Sequence, residues 1–311
     1  MSERSLDELI PQYYELDEAG TIAASGRLVE VDNLYHPGEP DGVSQVSLLT
    51  FDVTDPAADF ASVGYLGYVG ITYASTGAIY LINASPWAVV GGGVAVSSPP
   101  PVDTSPLEPP VSSEPDTPVG VARAHTGPFS VIHQFLLDES GARLNASGQV
   151  QGQVLDRYSL SEYDGTLRVA TTSFSGEGSS LYTLQPDGQG ELITVGSITE
   201  LAPGERIYSA RFVADRGFLV TFEQIDQLFT IDLADPAAPR VVGELKIPGV
   251  SFYLHPLGPD HLLAIGRDAD ASGRFGGIQL SLFDVSDFAN PIQSSAEVMG
   301  DSSTWSEALS L

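Results

Sequence analysis

The 311-residue sequence predicts an all-β fold assembled from a repeated four-stranded unit. Three observations carry that prediction. A short apolar phrase ending in aspartate recurs along the chain. Turn residues separate short runs rich in β-branched and aromatic side chains. After residue 20, no stretch of useful length keeps a helical period.

The recurring phrase is plainest at Leu48-Leu-Thr-Phe-Asp52, Leu228-Phe-Thr-Ile-Asp232 and Leu280-Ser-Leu-Phe-Asp284. Each continues with a second aspartate three residues on (Asp55, Asp235 and Asp287), and Pro56 and Pro236 follow two of these directly. Weaker copies end at Asp138 and Asp187. The five copies begin at residues 48, 132, 181, 228 and 280, so all but the first spacing lie between 47 and 52. Each period reads as strand, tight turn, strand, variable loop, strand ending in Asp, Asp-Pro turn and fourth strand. Four strands in that length are the unit of a β-propeller blade.

Taken from the N-terminus, residues 5–15 predict a short helix, with Ser5 as N-cap and Glu8 completing a capping box. Residues 1–43 read as an N-terminal extension and 44–311 as the propeller domain. Within it, 44–66 is half a blade, and 67–156, 157–201, 206–248 and 250–299 are whole ones. Ser75-Thr-Gly77, Tyr163-Asp-Gly165, Ala214-Asp-Arg-Gly217 and Gly258-Pro-Asp260 mark the first hairpin of each whole unit. The long first spacing has its cause in residues 97–118, which hold eight of the 22 prolines. Proline lacks the amide a sheet needs, so this segment is expected to be an inserted polyproline-type or disordered loop. Four blades with unmatched ends suggest an excerpt from a larger ring, with a five-bladed ring as the alternative should the N-terminal strands complete a last blade.

The charge excludes several functions. With 41 acidic and 13 basic residues, the chain carries −28 at pH 7, which repels nucleic acid and anionic membrane surfaces. The absence of cysteine excludes disulfides, thiolate nucleophiles and zinc–thiolate sites. The apolar run 87–96 contains three glycines and is too short for a membrane helix, so no membrane insertion is expected. There is no Gly-x-Ser-x-Gly, no Ser-x-x-Lys and no dinucleotide-binding glycine pattern.

From Ser161-Glu-Tyr-Asp-Gly-Thr-Leu-Arg-Val-Ala-Thr-Thr172 onward, the chain resembles the secreted bacterial and archaeal beta-propeller domain family, distantly related to WD40 repeats. The shared phrases include Leu201-Ala-Pro-Gly-Glu-Arg-Ile-Tyr-Ser209, Gly243-Glu-Leu-Lys-Ile-Pro-Gly249, Tyr253-Leu-His-Pro256 and Leu280-Ser-Leu-Phe-Asp-Val-Ser-Asp287. The resemblance implies an exported protein, extracellular or periplasmic, and supplies no catalytic residues.

Candidate site residues fall into two groups. Glu162, Arg168, Glu205, Arg206 and Arg211 gather around the beginnings of blades, and His255 lies on a first strand. Such positions can face the axial channel and bind an anionic ligand, or lock neighbouring blades through ion pairs. Asp268-Ala-Asp270-Ala-Ser272-Gly273 places oxygen ligands at alternate positions before a glycine, as in the first half of a calcium loop. The carboxylate that would close such a loop is replaced by Gln279. The function expected is a non-enzymatic extracytoplasmic scaffold or binding module for a protein, glycan or envelope partner. The alternative is a hydrolase with a metal or acid–base site in the channel.

Overall fold

In the computed structural model, the described residues are 10–36, 44–55, 59–85, 128–173, 176–222, 226–270 and 274–304. Among them are 22 strands, two single-turn 3-10 segments and no α-helix. The all-β expectation therefore holds. The Pro-rich segment 97–118 lies outside the described residues. The chain divides into two compact units: residues 1–83, 91–124 and 132–148 form the first, and 84–90, 125–131 and 149–311 the second.

The first unit begins with the antiparallel pair β1 (Gln12–Leu16) and β2 (Ile22–Arg27). Of the stretch expected to be helical, residues 5–9 lie outside the described residues, and residues 12–16 are extended. Tertiary contact explains the difference: the Tyr13 ring covers Gly26 on the partner strand and meets Phe60 edge-on at 5.1 Å. A three-stranded sheet follows, made of β3 (Leu34–Tyr35), β4 (Gln45–Thr50) and β5 (Ala61–Leu66) in the order β3-β5-β4. The next sheet has the order β6 (Ile71–Ala74), β7 (Ala78–Ser85), β8 (Phe129–Asp138) and β9 (Gly141–Gln151).

The second unit contains three successive meanders. The first runs β10 (Gln153–Val154), β11 (Leu160–Tyr163), β12 (Thr166–Ser173), β13 (Gly178–Pro186) and β14 (Leu192–Leu201), with both β10 and β11 paired to β12. The second is β15 (Arg206–Val213), β16 (Arg216–Phe222), β17 (Asp226–Asp232) and β18 (Arg240–Ile247). The third is β19 (Val250–Pro256), β20 (His261–Ala269), β21 (Phe275–Asp284) and β22 (Ile292–Met299). All pairs in these meanders are antiparallel.

Local chemistry explains the turns. Asp164 and Gly165 both have positive φ (50° and 71°) between the paired residues Tyr163 and Thr166, so the Asp-Gly dipeptide makes the primed turn that matches strand twist. The phrase-ending aspartates bind their own turns: Asp52 accepts from the Thr54 N–H at 2.8 Å, Asp284 from the Ser286 N–H at 2.9 Å and Asp232 from the Ala234 N–H at 3.0 Å.

The sheets of the second unit stack through alternating side chains. Along β16, Leu219 enters a core with Ala170, Leu181, Ile207 and Phe229, whereas Phe218 and Val220 enter another with Leu228, Leu254, Leu262 and Phe283. Successive strand residues point to opposite faces, so β16 is buried on both sides between neighbouring sheets.

A repeated notch seats each sheet on the next. Thr183 pairs with Gly196, and Thr230 pairs with Gly243, across the third and fourth strands of their sheets. Thr183 Oγ1 donates to the Pro236 carbonyl at 2.6 Å, and Thr230 Oγ1 donates to the Phe288 carbonyl at 2.6 Å. In each case the accepting carbonyl belongs to the turn after the next sheet's phrase-ending aspartate. The paired glycine leaves room for that turn to lie flat on the strand.

Candidate functional site

The first strands of the three meanders share a local irregularity. The register shifts between Ile207 and Ser209 on β15, and between Ser251 and Tyr253 on β19, so Tyr208 and Phe252 are bulged residues. In the preceding sheet, a 3-10 turn (Arg157–Ser159) separates β10 from β11 and carries Tyr158 at the corresponding place. Asp156 caps that turn by accepting from Tyr158 N at 2.8 Å and Ser159 N at 3.0 Å. An interrupted strand re-aims a side chain that the ladder would otherwise send into the core. Here each interruption presents an aromatic ring.

Around these rings lies a ladder of cations and aromatics. The Arg157 guanidinium carbon is 5.4 Å from the Tyr158 centroid, and that of Arg211 is 4.1 Å from Tyr158 and 5.0 Å from Tyr253. Tyr253 in turn stacks on His255 at 6.2 Å, its ring inclined by 25°. Arg211 is thus held between two tyrosine faces, a geometry that suits a planar, weakly hydrated cation. Its Nε donates to the Leu254 carbonyl at 2.8 Å, which fixes the side chain across two sheets. Its Nη2 is covered and has no hydrogen-bond partner among the described residues. Arg157 and His255, at the two ends, are exposed.

The other predicted residues separate from this ladder. Arg168 is 3% exposed, and its guanidinium donates to Ser161 Oγ at 2.6 Å and to the Ala214 carbonyl, packed between the Tyr163 and Phe212 rings. Glu205 accepts from the Thr221 hydroxyl. Arg206 is exposed at the start of β15, far from the Arg211 end, and Glu162 is half-buried on β11 opposite Leu167. Where arginine joins sheets, carbonyls are its acceptors: Arg211 reaches Leu254, Arg168 reaches Ala214 and Arg216 Nη1 reaches Pro259 at 3.1 Å.

The predicted calcium loop, residues 268–273, is described only up to Asp270. Asp268 lies within β20, and Asp270 closes a hairpin turn, its carboxylate accepting from the Arg274 N–H at 3.1 Å. Ser272 lies outside the described residues, and Gln279 donates to Ser281 Oγ at 2.9 Å. Among the described residues, no three His, Asp or Glu side chains gather as metal ligands. The turn aspartates are occupied locally. The hydroxyls of Thr54, Ser140, Ser286 and Ser303 hold Asp52, Asp138, Asp284 and Asp301 below the usual carboxylate range. Backbone N–H groups, led by those of Gln189 and Ala234, do the same for Asp187 and Asp232.

Reading single residues missed Arg157, Tyr158 and Tyr253. A signal was present: an aromatic precedes Ser159-Leu160 and Ser209-Ala210, and Phe252 precedes Tyr253-Leu254, with the third residue of each trio buried.

A family model described as "Beta propeller domain" matches residues 1–310. An uncharacterized protein of Archaeoglobus fulgidus is 43% identical over 179 residues, which cover 58% of this chain and 26% of the relative. An uncharacterized protein of Methanocaldococcus jannaschii is 44% identical over 150 residues, covering 47% of this chain and 23% of the relative. The matched stretches thus span about a quarter of each relative's length. No helix among the described residues is long and apolar enough to cross a membrane.

Proposed function

Since this chain belongs to the beta-propeller domain family, we propose that it acts as an extracytoplasmic binding module, with the Arg157–Tyr158–Arg211–Tyr253–His255 ladder as its ligand surface. The observation that carries this reading is the exposure of Arg157 and His255 at the two ends of the ladder, on either side of the Arg211 guanidinium held between Tyr158 and Tyr253. In a chain of net charge −28, this arginine island is where an acceptor-rich partner gains most. Envelope glycans and acidic peptides both offer carboxylate or hydroxyl acceptors.

The test is calorimetric titration with neutral oligosaccharides, uronic-acid oligosaccharides and acidic peptides. One of these classes is expected to bind, and the double variant Arg157→Ala/His255→Ala should weaken that binding at least tenfold, about 1.4 kcal/mol, with an unchanged melting temperature. Undiminished binding by the double variant, or no binding across all three classes, would reject the ladder as the site.

We also propose that the outer face of β19–β22 packs against a further sheet. On the second meander, Phe218, Val220, Leu228 and Thr230 form a face that is at most 2% exposed, covered by the third. The register-matched residues of the third meander are Leu263, Ile265, Leu280 and Leu282, an apolar face that is only half-buried. An equivalent sheet packed there would bury it. Because the protein has no cysteine, Leu282→Cys gives a clean probe. A maleimide should label it in this chain and be excluded once the following sheets are present; equal labelling in both would count against the added sheet.

A further inference from the structure

The first unit holds a buried polar string where its surroundings are apolar. Ser147 Oγ lies 2.7 Å from His133 Nδ1, and the Tyr65 hydroxyl lies 2.9 Å from His133 Nε2. His133 and Tyr65 are 6% and 3% exposed, and Tyr65 packs in a core with Val63, Leu81 and Phe135. Ser147, on β9, is only half-buried. A second polar string accompanies the first: Asn145 Nδ2 donates to Gln134 Oε1 at 2.8 Å, and Gln134 Nε2 donates to the Tyr80 hydroxyl at 2.8 Å. Hydrophobic packing alone would favour apolar residues at these positions, and departures from that rule collect at functional sites.

We propose that Ser147, His133 and Tyr65 form an acyl-transfer site that hydrolyses small carboxylic esters. The geometry meets both requirements of an activated nucleophile: a nucleophile–base hydrogen bond, and a base oriented by a third group. Both partners are hydroxyls, and the reaction uses the tautomer in which Nδ1 accepts from the Ser147 hydroxyl and Nε2–H donates to the Tyr65 oxygen. As the Ser147 Oγ–acyl carbon bond forms, the serine proton passes to Nδ1. The imidazolium then returns that proton to the departing alkoxide as the ester C–O bond breaks, which releases the alcohol. A water molecule, losing its proton to Nδ1, attacks the acyl carbon; the carboxylic acid leaves and Ser147 recovers its proton. Tyr65 is the positioning residue. This site lies in the other unit from the ladder, so it stands or falls independently of the binding reading.

A fluorophosphonate probe applied to the folded chain, followed by peptide mapping, tests the proposal, with p-nitrophenyl acetate as the turnover substrate. Ser147 should carry the label, and Ser147→Ala should abolish both labelling and turnover. The labelling rate should rise with pH as Nδ1 loses its proton. Tyr65→Phe should slow labelling several-fold and move the midpoint of that pH profile, which a purely structural hydroxyl would not do. No labelling above that of Ser147→Ala, labelling at another serine, or a rate indifferent to pH would each overturn it. The pH profile is read on the unaltered protein, so the proposal stays testable should a variant fail to fold.

Discussion

Gly243→Ala is expected to destabilise the second unit by about 3 kcal/mol, at the upper end of ordinary overpacking costs. A Cβ at this position would sit 2.6 Å from Thr230 Oγ1 and 2.8 Å from both the Phe288 and Ala289 carbonyls. Two of these three neighbours are backbone, so a rotamer change cannot relieve the clash. The third meander would have to lift away from the second, exposing Phe218, Leu254 and Phe283, which are now at most 2% exposed. Gly196→Ala should behave alike, because Pro239 Cδ would lie 2.7 Å from the added carbon. In denaturant titrations, both variants should lower the midpoint with an unchanged m-value. A loss under about 0.5 kcal/mol, the scale of neutral surface changes, would mean that the notch is looser than its geometry requires.

Arg168→Met should cost a similar amount, about 3 kcal/mol, through lost charged hydrogen bonds and not through lost volume. The methionine keeps the apolar stem between Tyr163 and Phe212 but removes the donors to Ser161 Oγ and the Ala214 carbonyl. Ala214 has φ of 48°, a left-handed conformation that costs a non-glycine residue roughly 1–2 kcal/mol. The arginine secures that turn to the preceding sheet. Arg168→Lys should recover part of the loss, since it keeps the charge but cannot fork to two acceptors. Thermal and denaturant unfolding read both variants; wild-type stability for Arg168→Met would show that the guanidinium contributes nothing net.

Much of the fold was legible because its signals are short-range. An Asp-Gly pair specifies a primed turn from two residues, and an aspartate that caps the amide two positions on needs no distant partner, as at Asp232 and Ala234. Where the expected helix over residues 5–15 meets described residues, 12–15 are extended because the competitor was non-local: this stretch gains a partner strand, and Tyr13 gains Phe60. Of the predicted arginines, Arg168 and Arg211 look equivalent in sequence. The structure buries one as an anchor and suspends the other between two rings.

The sequence by itself determined the repeat, the turns and the all-β class, because each is decided within a few residues along the chain. It also determined the acidity and the absence of thiol chemistry. Tertiary structure alone decided which side chains share a site. Tyr158, Arg211 and Tyr253 come from three successive sheets, and Tyr65, His133 and Ser147 from three separate strands. Their meeting depends on how sheets stack and strands register, and those are properties of packing that no local spacing encodes.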